Sequence, residues 1–121
     1  MKIEKINIEN KLSGFSDYWN PRIVGELNGQ HVKLVKFQGE FVWHQHNCED
    51  ELFYVLNGEL RLEFREKTVE INENEFIIVP MGVEHRPVAE REVSVMLFEP
   101  CTTVNTGDNP GSMTKENLDR I

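Results

Sequence analysis

Three of the chain's four histidines and one glutamate stand at spacings suited to holding a metal ion: His44, His46, Glu51 and His85. The segment Phe41-Val42-Trp43-His44-Gln45-His46 reads as extended chain, and in a strand residues two apart share a face. His44 and His46 then project side by side, and two imidazoles so placed chelate one ion at about 2.0–2.1 Å each. Glu51 opens the next strand after the short 47–50 turn, so a hairpin folds its carboxylate back toward the pair. His85 follows Pro80-Met81-Gly82, a tight turn able to deliver a third imidazole from a distant strand. Three neutral imidazoles and a carboxylate suit one divalent ion, Fe, Mn, Zn or Ni, and leave positions open for water or substrate. Lewis-acid and oxygen-activating chemistry both need that opening. Binding through imidazole predicts loss of metal as pH falls through ~6.5.

Neighbouring residues compete for some of these roles. Glu49, Asp50 and Glu51 are consecutive, but Asp50 points to the opposite face of the strand, which selects Glu51. Cys48 shares the face of His46 if the strand continues, and could then offer a thiolate; otherwise it is a small turn residue. His31 has no partner at ligand spacing and reads as a surface strand residue. Arg22, Arg61 and Arg86 are cations available to an anionic substrate. No carboxylate or lysine outside the ligand set stands out as a general base. Phe53 and Val55 share parity with Glu51 and are the first candidates for the wall of a substrate pocket, with Met96 and Phe98 next.

The elements that must position these groups are strands. Arg22 to Leu27 and His31 to Phe37 are joined by Asn28-Gly29, the strongest short hairpin signal because both turn residues need positive φ. Asn57-Gly58 repeats the device between Glu51–Leu56 and Glu59–Arg65. Thr68–Ile71, Phe76–Val79, His85–Val88 and Val93–Phe98 complete the set, and Ile3, Ile6 and Ile8 open the chain in an apolar pattern. Short strands spaced by roughly 8–12 residues with Gly, Asn and Pro turns indicate an all-β sandwich or barrel. Only Thr114–Ile121 has helix-like composition, with Ser112 or Thr114 as cap, so a short C-terminal helical turn is expected after the 102–111 loop.

The motifs carry a family resemblance. Gly39-x4-His44-x-His46-x4-Glu51-x6-Gly58 resembles the first cupin motif, and Asn74-x5-Pro80-x-Gly82-x2-His85 resembles the second. Asn74 stands where the second motif has glycine, and asparagine tolerates the positive φ such a turn requires. Ala89 stands where the motif ends in asparagine, a position that is not a ligand. The resemblance implies a double-stranded β-helix (jelly-roll) barrel, a single small cupin domain over 1–121 with its core at about 22–100 and a tail at 101–121. It implies His44, His46, Glu51 and His85 as metal ligands, and a homodimer.

Composition sets the outer bounds. A chain of 121 residues, 39% hydrophobic and 28% charged, fits one soluble globular unit. The formal net charge of −8 without a basic cluster argues against nucleic acid, whose affinity rests on Lys and Arg. No apolar run approaches the roughly 20 residues of a membrane span, and the charged N-terminus is unlike an export signal. A cytoplasmic protein with reduced Cys48 and Cys101 is expected. Two functional classes remain: a metalloenzyme acting on a small polar metabolite, as a dioxygenase or sugar isomerase-like enzyme, and a non-catalytic metal and small-ligand binding or sensor module.

Overall fold

The computed structural model describes residues 2–121. A short helix, α1 (Ile8–Leu12), precedes seven strands: β1 (Arg22–Leu27), β2 (Gln30–Glu40), β3 (Glu51–Asn57), β4 (Leu60–Phe64), β5 (Thr68–Ile71), β6 (Phe76–Val79) and β7 (His85–Pro100). Alternation builds them. In β3, Glu51, Phe53 and Val55 are buried while Leu52, Tyr54 and Leu56 are half-buried. In β4, Leu60 and Leu62 take the inner positions.

The turns follow their residues, with one difference. Asn28 and Gly29 both adopt positive φ, 50° and 76°, and close the β1–β2 hairpin. At the second Asn-Gly pair only Gly58 does so, because Asn57 is the last residue of β3. A Cβ on Gly58 would lie 2.8 Å from the Glu92 carbonyl oxygen, so this turn packs directly on the backbone of β7. Asn74 takes φ 65°, the left-handed conformation that glycine supplies in the cupin motif.

All strand pairings are antiparallel, in the order β1-β2-β7-β3-β6, with β4 joining β7 and β5. β7 organises the barrel. The two strands expected at His85–Val88 and Val93–Phe98 are one continuous element: its first residues pair with β4, its last with β3, and β2 runs along its other edge. The exposed Glu90-Arg91-Glu92 marks the change of partner, between the two strands that the sequence pattern suggests. Because β2 extends to Glu40, it pairs with β7 on both sides of that stretch, with a register shift between Phe37 and Gly39. Leu60, Leu62 and Ile71 from one arm thereby pack on Phe53, Val55, Val79, Val93 and Val95 from the other. Each such side chain contributes roughly 1.5–3 kcal/mol on burial. The architecture is an all-β jelly-roll barrel.

The chain ends differ from expectation. The short helix lies near the N-terminus, where Asn7 caps it by accepting from Asn10 N at 2.9 Å, and Ile3, Ile6 and Ile8 are exposed. The helical turn expected at 114–121 does not form. Instead Ile23 N donates to Asp119 O at 2.9 Å and Ile121 N to Ile23 O at 3.0 Å, so the free edge of β1 takes up this segment as an extended partner. A one-turn helix gains little by itself and loses to that edge. Among the described residues no helix is long and apolar enough to cross a membrane.

Candidate metal centre

His44 and His85 are joined through the backbone. His44 N donates to His85 O at 3.0 Å and His85 N to His44 O at 2.9 Å, an isolated antiparallel bridge that sets the two imidazoles side by side, 4.4 Å between ring centres. His46 lies 4.9 Å from His44, ring to ring, and its carbonyl accepts from Gly82 N at 2.8 Å, which anchors the Pro-x-Gly turn. Glu51, first residue of β3, points inward with Oε1 at 3.3 Å from His46 Nε2 and 3.4 Å from His85 Nε2. One donor atom from each of the four residues lies within 4.8 Å of the others, and all four side chains are buried.

The donor atoms are oriented as a metal requires. His44 Nδ1 and His85 Nδ1 donate to the carbonyls of Val42 and Val83, each at 2.9 Å. A carbonyl only accepts, so the proton sits on Nδ1 and the Nε2 lone pair faces inward. His46 Nε2, Glu51 Oε1 and His85 Nε2 are buried without a hydrogen-bond partner. Each orphan costs about 1–3 kcal/mol, and a single cation at their common point satisfies all three. The residues fit a divalent metal ion.

Electrostatics agree. Burial, reinforced by the facing His85, pushes the His44 imidazole down to about 4, which keeps it neutral as a ligand must be. Burial acts to raise the Glu51 carboxyl, but the neighbouring His46 and His85 outweigh it and hold the group well below the usual carboxylate range. Asp50 lies outside the cluster and accepts from Met81 N at 2.8 Å. Cys48 is exposed, also outside it. His31, expected at the surface, is buried beside Glu26, with Nε2 at 3.2 Å from Oε1.

A cavity opens against the cluster. His44 and Glu51 line it together with Trp19, Phe41, Phe53 and Leu97, and it leaves about 30 Å³ for the centre of a water-sized molecule. Phe53 thus stands in the wall, whereas Val55 is sealed in the core. Met96 and Phe98 face the other way: Met96 borders an outer groove with Ile6, Ile8 and Val24, and Phe98 pairs with the outward Leu52. Leu97 and Glu99 take the inward positions. Alternation misassigns this strand because Val93, Ser94 and Val95 are all buried, so both of its faces are covered there. The arginines also lie elsewhere. Arg22 pairs with Asp17, Arg61 with Glu63 and Glu90, and Arg86 with Glu63 and Glu40.

Three cavity residues carry no signal that sequence reasoning used. Lys33 and Glu99 form a buried pair in the wall, at 3.4 Å. Burial and the charge of Glu51 push the Glu99 carboxyl up. Their only mark in the sequence is charge at an apolar parity, as in Leu97-Phe98-Glu99. Trp19 is held at φ 60°, a left-handed conformation rare for a bulky residue, with its backbone N bonded to Lys36 O and Nε1 to Gln38 O. It stacks on Phe37 and Phe41, with ring centres 4.3 and 4.9 Å away.

Comparison with known proteins places this site in a wider group. A family profile described as the cupin domain matches residues 31–101. Over 64 residues, 52% of this chain, the sequence is 42% identical to the uncharacterized protein YdbB of Bacillus subtilis (strain 168), and the match spans only 57% of that relative. The fold resembles that of a cupin-2 domain containing protein from Shewanella frigidimarina NCIMB 400, with TM-score 0.78 and 43% identity, covering 78% of this chain and 93% of that one. It also resembles protein NMB1881 from Neisseria meningitidis, with TM-score 0.74 and 33% identity, covering 80% and 99% of the two chains. Since the profile runs from the hairpin that starts β2 to the end of β7 and takes in every converging donor, the chain belongs to the cupin domain family.

Proposed function

We propose that this protein is a metal-dependent enzyme that holds one divalent ion on His44, His46, Glu51 and His85 and acts on a small polar metabolite. The observation that carries the reading is the meeting of three unpartnered buried atoms, His46 Nε2, Glu51 Oε1 and His85 Nε2, beside a cavity. Fe, Mn, Zn and Ni all suit this donor set, and such an ion, when bound, supplies Lewis acidity to a substrate oxygen. Of the two chemistries such a centre supports, isomerase-like proton transfer fits better than dioxygenation. Glu99 sets a carboxyl in the cavity wall where it can hold or pass a proton.

A second reading, a non-catalytic module that holds a metal and a small ligand, draws support from the small space in the cavity, about 30 Å³ for the centre of a water-sized molecule. The proposal extends to cytoplasmic residence and to a homodimer, the latter supported by exposed Phe76 and Ile78 on the edge strand β6. The experiment is elemental analysis of protein purified without a metal-affinity column, followed by incubation with small hydroxy-carbonyl compounds in deuterated water. One ion per chain, deuterium incorporation and no oxygen uptake are expected. Oxygen uptake selects the dioxygenase, metal without either reaction selects the binding module, and a chain that takes up no metal removes both readings.

A further inference from the structure

Lys33 and Glu99 are left unexplained by metal binding alone. Both side chains are nearly sealed from water, 3% and 1% exposed, yet both line the cavity that contains His44 and Glu51. The distance from Lys33 Nζ to Glu99 Oε2 is 3.4 Å, well beyond the about 2.7–2.9 Å of a close charge-assisted bond. Glu99 Oε1 is buried with no partner. A buried ion pair is often no more stabilising than well-packed apolar residues of similar volume, so stability does not account for this one.

The register places the pair with respect to the metal centre. Lys33 lies opposite Leu97 across β2 and β7, and Leu97 lies opposite Phe53 across β7 and β3. Glu99 is two residues beyond Leu97 and Glu51 two before Phe53, so all of them share the inner face. Adjacent strands stand about 4.8 Å apart. The inner wall therefore presents an ammonium, a carboxyl and the metal-facing carboxylate on three neighbouring strands.

We propose that Lys33 and Glu99 determine the specificity of this centre by selecting a small ligand that carries a hydroxyl next to an oxyanion, a hydroxy acid in chemical class; the inference rests on the metal reading above. The ligand oxyanion accepts from Lys33, whose ammonium has three donors and meets Glu99 with one of them. The ligand hydroxyl hydrogen-bonds with Glu99 Oε1 and satisfies the orphan. Trp19, Phe41, Phe53 and Leu97 surround these contacts with apolar wall, which excludes water and strengthens them. The space open to the centre of a water-sized molecule, about 30 Å³, limits the ligand to a few heavy atoms. A ligand without the hydroxyl leaves Glu99 Oε1 unpaired.

The probes are glycolate and acetate, which differ by one hydroxyl, titrated calorimetrically into Mn²⁺-loaded protein whose metal content has first been measured. Glycolate should bind at least about tenfold more tightly than acetate, the range of one hydrogen bond to a charged group. The double variant Lys33→Met/Glu99→Leu replaces the pair by apolar side chains of similar volume, a change that buried pairs tolerate. It should retain Mn²⁺ and bind the two anions alike. Equal affinities in the unmodified protein overturn the proposal, as does a glycolate preference that survives in the double variant. Loss of Mn²⁺ from the double variant also overturns it, because the pair would then serve the metal and not the ligand. An unmodified chain that takes up no Mn²⁺ fails the metal reading itself, and that failure is read in the metal measurement before any titration.

Discussion

Gly107 packs directly on the backbone of Gln45, with no room for a side chain between them. A Cβ there would lie 2.9 Å from the Gln45 carbonyl carbon and 3.2 Å from His44 Cδ2, and φ is 53°. Just beyond this contact Asp108 N donates to Gln45 O at 3.0 Å, Gln45 N to Asp108 Oδ1 at 3.0 Å, and Asn109 Nδ2 to Trp43 O at 2.9 Å. The loop after β7 thus acts as a backing strip for the segment that carries His44 and His46.

Gly107→Ala should separate that strip from the ligands. A side chain forced into positive φ against backbone is expected to lower stability by more than about 1 kcal/mol and metal affinity by ~10-fold, as loss of a ligand's support does. Gly111→Ala, where an added Cβ meets nothing within 4 Å, serves as the control. Thermal melting and metal titration of the two variants check this; equal behaviour would show the strip to be dispensable.

The donor set gives its own test. His44→Ala or His46→Ala removes a ligand and should reduce metal content sharply by elemental analysis. Glu51→Gln should weaken binding as well, because a neutral amide replaces the only carboxylate of the cluster. Asp50→Asn should leave metal content unchanged, since Asp50 only accepts from Met81 N at the turn. If Asp50→Asn is the damaging change, the carboxylate has been misassigned.

Stability of the metal-free protein should depend on pH through His44. Its imidazole titrates at about 4 when folded, against the ordinary 6.5. Below 6.5 the unfolded chain therefore binds more protons at this position, and folding weakens as pH falls toward 4. The effect is fully developed near pH 4 and reaches roughly 3 kcal/mol. Urea unfolding at pH 7 and pH 4 should show the loss, and His44→Gln should remove about that much of the pH dependence. Protons then compete with metal at His44 only near pH 4, well below the ~6.5 of a free imidazole.

The walls of the cavity can be told from the outer face of the barrel. Trp19→Leu and Phe53→Leu should change the affinity of the metal-loaded protein for small carboxylates, because both rings border the cavity. Met96→Leu should leave it unaltered, since Met96 borders the outer groove. Anion titration of the three variants decides the matter, and an effect confined to Met96→Leu would mean that the inner and outer faces of β7 are reversed.

Local rules made much of this protein legible in its sequence. Period-two alternation marks β3 and β4, Asn28-Gly29 marks a hairpin, and the asparagine at position 74 suits the positive φ it adopts. The same rules placed His44 and His46 on one face, because side chains two apart in extended chain must point the same way. The same alternation of faces favours Glu51 over Asp50. These are statements about neighbours along the chain, and covalent geometry settles them.

Contacts between distant segments escaped those rules. Alternation cannot say which face of β7 is inner, because burial of both faces around Val93 to Val95 erases the polar and apolar contrast; Leu97 and Glu99 line the cavity, and the expected Met96 and Phe98 face outward. Lys33 meets Glu99 only because β2 and β7 pair in one register. Trp19 enters the cavity on a backbone conformation that packing enforces against local preference, and the C-terminal segment forgoes its helix for the free edge of β1. The sequence by itself determined most of the strands and four donors that could hold a metal. The tertiary structure decided what surrounds those donors, because non-local pairing and burial, which no short-range pattern encodes, choose which side chains face the cavity.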